Sequence, residues 1–141
     1  MQIVPFKAEH IAMIRLQEEQ MYLSGWVTQE QADALEHSIA YTALDDGVPV
    51  ACAGLVEHWE GRASVWAFLA AMGPNRFIAV HRACMAFLDV CYTRRVEMSV
   101  DCNFKEAHRW AKMLGFTMEA ERMEAYSPDG RSCALYARVL P

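Results

Sequence analysis

Glycine and proline are scarce, seven and five among 141 residues, which excludes collagen-like and linker-type chains. Long apolar runs are missing too: Arg, His, Glu or Asp interrupts each one well short of the roughly 18 residues of a spanning helix. Residues 1–5 pass straight into polar sequence without a signal-peptide pattern, so a soluble, cytoplasmic protein with no membrane partner is expected. Basic excess is absent, with 13 Lys and Arg against 18 Asp and Glu and a net charge of -5. That balance opposes non-specific binding to nucleic acid, and the pair Arg94-Arg95 is too short for a nucleic-acid arm. A paired cysteine set is lacking as well. Cys52, Cys84, Cys91, Cys102 and Cys133 are odd in number, scattered and mostly set in apolar runs, as expected of buried reduced thiols.

What is present is a globular composition, 54% apolar and 22% charged, of a length that fits one domain, residues 1–141, around one core. Residues 3–5 read as a short strand and residues 8–22 as a helix, with Ile11, Ile14 and Met21 near helical spacing and Ser24-Gly25 as its break. Thr28 with Gln31 forms a capping box opening a second helix that ends near His37 or Ser38, with Ala32 and Leu35 inward. Two β-type runs, 39–44 and 48–56, flank Asp45-Asp46-Gly47, a hairpin turn signal. After Gly61, residues 62–69 continue the meander.

A long helix is predicted over 76–91, where Phe77, Val80, Cys84, Leu88 and Cys91 repeat at helical intervals. Val96, Met98 and Val100 alternate as a strand. Residues 105–114 follow as a helix with Ala107, Trp110, Ala111 and Leu114 on one face and Gly115 as its stop. The same spacing puts Arg109 and Lys112 on the solvated side. Strands over 118–126 and 133–139, joined by Ser127-Pro128-Asp129-Gly130, close the chain. Nine methionines fit either irregular core space or a homodimer surface.

This element order, together with VDCNFKEAHRWAKMLGF at 100–116, resembles the GNAT N-acetyltransferases, with Ala107, Lys112, Leu114, Gly115 and Phe116 at the matching positions. More narrowly, the Trp66 strand, Gly73-Pro74, HRWAKMLGF and the Tyr126–Gly130 hairpin resemble small acetyltransferase-like proteins of tailed phages and prophages. The resemblance implies an α/β fold: a mixed, mostly antiparallel sheet of about seven strands flanked by about four helices. It also implies a bulged fourth strand and a splayed gap between strands 4 and 5.

Acetyl-CoA, or another acyl-CoA, would then bind by its pantetheine arm along Phe68, Leu69 and Ala70. Its pyrophosphate would lie on Gly73, Asn75, Arg76 and Phe77 at the head of the next helix, where unpaired N–H groups and the helix dipole favour an anion. The usual glycine-rich loop signature is reduced here to Gly73, and Pro74 supplies no N–H. A simple strand-to-helix turn fits Gly73-Pro74 equally well. The tyrosine that many relatives use to protonate the leaving thiolate falls at Ala111, and the asparagine at the head of that helix falls at Phe104, beside Asn103.

Among the acidic residues, Glu57, within Glu57-His58-Trp59-Glu60, is the preferred base, against the alternative of a solvated hairpin end. Asp101 reads better as a helix cap than as a catalytic group. His81 and Cys84 stand at i, i+3, but no second ligand pair accompanies them, so no metal site is expected. The leading expectation is acetyl transfer from acetyl-CoA to a primary amine on a small molecule or protein, in the host cytoplasm if the chain is phage-encoded. A catalytically degenerate phage or prophage protein with a structural, assembly or host-interaction role is the alternative, and an acyl-CoA sensor is a third reading.

Overall fold

A computed structural model describes residues 1–25 and 27–141. In chain order its elements are β1 (Gln2–Pro5), α1 (Ala8–Met13), a 3-10 segment (Glu18–Gly25), α2 (Gln29–Glu36), β2 (Ile39–Asp45), β3 (Val48–Trp59), β4 (Arg62–Leu69), α3 (Pro74–Asp89), β5 (Arg95–Asp101), α4 (Lys105–Met113), β6 (Thr117–Met123) and β7 (Cys133–Val139). The strands are hydrogen-bonded in the order β1-β2-β3-β4-β5-β7-β6, a mostly antiparallel sheet whose parallel pair is β4 with β5. This is the α/β architecture the sequence predicts. The chain groups into two compact units, Met1–Val56 with Val65–Ala86, and Glu57–Ser64 with Phe87–Pro141.

In the first unit, Asp46 and Gly47 both take positive φ, 49° and 78°, the left-handed pair that a tight turn between β2 and β3 requires. The capping box forms as read: Gln31 N–H donates to Thr28 Oγ1 at 3.1 Å and Thr28 N–H to Gln31 Oε1 at 3.0 Å. Phe6, Ile14, Cys52 and Phe68 make the centre of an apolar cluster, with Ile11, Leu16, Leu35 and Trp66 packed around it. The helix expected over 8–22 is not continuous. Ile14 is already extended at φ -78° and ψ 127°, and Leu16 bridges Ala70 instead of continuing α1. The backbone there finds partners on β4, a long-range gain that helical spacing does not reveal. α3 begins at Pro74, two residues earlier than predicted, because a proline fits the first helical position where its missing N–H would go unused.

In the second unit β7 is flanked by β5 and β6, both antiparallel to it. β6 stops at Met123 rather than near 126, since Ala125 turns to φ 52° and the Tyr126 and Ser127 N–H groups both donate to Arg131 O. Trp110 is buried while Arg109 and Lys112 are exposed, as their spacing requires. Met113 and Met118 are exposed rather than packed in a core. No helix among the described residues is long and apolar enough to cross a membrane.

Candidate functional site

β4 pairs with β5 over three residue pairs only, Arg62–Arg95, Ala63–Val96 and Ser64–Glu97, and the ladder then ends. Backbone groups of a strand alternate between its two edges. Gly61 O accepts from Arg95 N–H on the β5 edge, and Ala70 N–H donates to Val50 O on the β3 edge. Odd residues therefore address the β5 edge and even residues β3, in one phase at both ends. Of the three strand residues expected to meet a cofactor, Leu69 presents its backbone on the edge that leaves β5. Phe68 and Ala70 turn theirs to β3, and the Phe68 side chain is buried in the apolar cluster.

That continuing edge carries two partners from the 3-10 segment and its approach. Gln20 Nε2 donates to Ala67 O at 2.8 Å, and Leu69 N–H donates to Gln20 Oε1 at 2.8 Å. Gln17 N–H donates to Leu69 O at 2.9 Å, and Gln17 Nε2 donates to Gln20 Oε1 at 3.2 Å. Sequence reading missed both glutamines. They stand in a polar stretch with no motif, and nothing in their spacing announces a partner some 50 residues away.

Beyond β4, Gly73, Asn75 and Arg76 are exposed at the head of α3. Phe77 N–H donates to Gly73 O at 3.1 Å, which makes Gly73 the residue capping the helix. The N–H groups of Asn75 and Arg76 belong to the first turn, where α-helical geometry offers no intrahelical acceptor. The Arg76 guanidinium, expected to meet an anion directly, forms an ion pair with Asp45 at 2.5 Å while remaining 54% exposed. The Phe77 ring stacks on His81, with centroids 6.4 Å apart.

Glu57 is exposed on β3 and belongs to the second unit, whereas residues 68–77 belong to the first. Beside it His58 Nε2 lies 2.7 Å from Ser64 Oγ. Asp101 accepts from Asn103 N–H at 2.9 Å and pairs with Arg131 at 3.1 Å, so it does not cap α4 as its position suggested: the capping position is Phe104, whose side chain makes no cap hydrogen bond, and Asp101 braces the turn ahead of it. Ala111 is fully buried and carries no titratable atom.

Where β4 and β5 do pair, the start of the ladder is tied by charge. Arg62 donates to Glu97 at 2.6 and 2.9 Å, Arg95 to Glu97 at 2.8 Å, and Arg95 to Glu119 at 2.6 and 3.0 Å. Trp59 lies against the Arg62 guanidinium, 4.6 Å from ring centroid to carbon. The Arg62 hydrogen bonds first, then those of Arg95, hold the Glu97 carboxyl at about 2.

Burial pushes the Cys52, Cys84 and Cys133 thiols up to about 11, so these are neutral thiols at ordinary pH and not nucleophiles.

No family model matches the sequence, and no curated protein matches it. Solved structures do match in shape. Ard1 from Thermoplasma volcanium superposes with a TM-score of 0.77 at 23% identity, over 99% of this chain and 97% of its own. An acetyltransferase of the GNAT family from Streptococcus pneumoniae gives 0.69 at 10% identity over 99% of both chains. Aminoglycoside 6'-acetyltransferase type Ii gives 0.70 at 12% identity, covering 100% of this chain and 99% of its own. With seven strands in this order and four helices between them, the chain has the fold of the GNAT acetyltransferases.

Proposed function

We propose that this protein is an N-acetyltransferase that takes an acetyl group from acetyl-CoA and passes it to a primary amine. The observation that carries the reading is the edge of β4 beyond Ser64, where the ladder to β5 ends and backbone groups take up a carboxamide instead. An edge that binds an amide of this chain fits the amides of a pantetheine arm by the same two-bond chemistry.

Leu69 would hold that arm by its backbone, and Gly73 with the Asn75 and Arg76 N–H groups would hold the pyrophosphate. Bound there, acetyl-CoA supplies an activated thioester. The amine nitrogen forms a bond to the acetyl carbon as the carbon–sulfur bond breaks. A carboxylate base would take the proton the amine releases, and since position 111 is alanine, solvent would return a proton to the departing thiolate. A β4 N–H steadies the carbonyl oxygen as charge builds on it.

Calorimetric titration with acetyl-CoA and with CoA tests this. Micromolar binding is expected, lost in Arg76→Glu and kept in Asp45→Asn, which removes only the present partner of Arg76. No binding to a folded sample sinks the reading.

A further inference from the structure

We infer that the Gln20 side chain is a built-in competitor for the β4 edge, a self-ligand that an incoming amide must displace. The inference rests on the acyl-CoA reading above and adds a control to the same site.

A single carboxamide spans two backbone groups here. It donates to Ala67 O and accepts from Leu69 N–H, two residues further on and on the same edge, both at 2.8 Å. That is the pattern one residue of a parallel neighbouring strand makes, its N–H to the carbonyl before its partner and its C=O to the N–H after it, so the side chain imitates a strand rather than merely resting on one. The contact is also braced. Gln17 donates from its own side chain to Gln20 Oε1, and its backbone N–H closes on Leu69 O. Leu69 thus has both backbone groups engaged by the segment that precedes α2.

A backbone N–H has one proton to give. While Gln20 Oε1 accepts it, a ligand carbonyl cannot receive it at full strength, and the two states exclude each other. A carbonyl oxygen can accept twice, so exclusion acts through Leu69 N–H rather than through Ala67 O. Binding of an amide-bearing ligand therefore requires the Gln20 side chain to leave, and the resting affinity is lowered by whatever the Gln20 contacts contribute.

The test uses Gln20→Met, which keeps length and apolar stem but cannot make the two bonds, and Gln20→Glu, which keeps an acceptor for Leu69 N–H but sets a carboxylate against Ala67 O. CoA is titrated into each full-length protein by calorimetry, and hydrogen exchange of the Leu69 amide is followed with and without CoA. In the free wild type the Leu69 amide should be protected. In Gln20→Met it should exchange faster, CoA should bind about tenfold more tightly, and adding CoA should restore protection. Gln20→Glu should fall on the same side as Gln20→Met, with a smaller gain. Equal CoA affinity in wild type and Gln20→Met overturns the competitor while leaving the acyl-CoA reading intact, and weaker binding in Gln20→Met does the same by making Gln20 a ligand contact. No CoA binding to any of the three folded proteins overturns both.

Discussion

Two glycines separate structural need from functional need. A Cβ at Gly54 would stand 2.6 Å from the Ala40 Cβ, 2.8 Å from Ile39 O and 2.8 Å from the Trp66 ring, so backbone itself would have to move. Gly54→Ala should therefore destabilise the protein by about 1–3 kcal/mol, read as a lower urea midpoint. A Cβ at Gly73 meets nothing within 4 Å, and its φ lies outside the left-handed region. Gly73→Ala should leave the urea midpoint unchanged and weaken CoA binding about tenfold, because the methyl would stand where the pyrophosphate needs bare backbone. Unchanged CoA affinity in a stable Gly73→Ala would remove Gly73 from the proposed site.

Tyr136 shows the opposite case, a polar group that serves only the core. Its ring is fully buried and its hydroxyl lies 2.7 Å from His108 Nδ1, while His108 Nε2 donates to Cys102 O at 3.1 Å. With the imidazole proton committed to the carbonyl, Nδ1 accepts from the hydroxyl. Tyr136→Phe should cost about 1–2 kcal/mol in urea unfolding, the penalty of leaving that nitrogen without a donor.

At the scale of elements, the termini that carry side-chain signals are the ones the sequence makes readable. Thr28 and Gln31 cap α2 reciprocally, and α2 buries Ala32 and sets Leu35 onto the first unit's apolar cluster. Thr28→Ala should lower stability by about 1 kcal/mol without altering β-sheet content, checked by urea unfolding and circular dichroism. The Asp-Gly and Pro-Asp-Gly turns, and the helices around Val80 and Trp110, are legible for the same local reason: turn residues and apolar spacing act over a few positions. The stretch from Ile14 to Gly25 is not. Ile11, Ile14 and Met21 imitate a helical face, yet Met21 is 59% exposed, and Gln17 and Leu16 are drawn to Leu69 and Ala70. Those bonds cross about 50 residues of sequence, and a glutamine in a polar run gives no sign of them. The candidate site divides in the same way. That residues 68–77 run from the end of a strand to the head of a helix is a local fact, whereas the alternation that turns the Phe68 and Ala70 backbones to β3, the Arg76–Asp45 pair and the Gln20 contact are tertiary facts.

For the whole molecule, acid is the condition that should find the weakest point, and the charge cluster at the start of β5 says where. Glu97 is held at about 2 by Arg62 and then Arg95, and Glu119 is lowered in the same direction by Arg95. A carboxyl whose folded value is depressed contributes stability that is fully present above the unfolded value. That contribution is lost as pH falls toward the folded value. For Glu97 the window runs from an ordinary value near 4.5 down to about 2, so stability should be flat between pH 7 and 5 and fall below pH 4.5. The loss should be on the order of 2 kcal/mol, less than the full shift implies, because Arg62 and Arg95 are each about a third exposed and screened by solvent. Glu97→Gln should lower stability at pH 7 by about 2 kcal/mol, since it leaves two guanidinium groups without their shared partner. It should also flatten the acid limb below pH 4.5. Urea midpoints measured at pH 7, 5, 4 and 3 for both proteins decide it: an acid limb of the same depth in Glu97→Gln would move the acid-sensitive group away from β5.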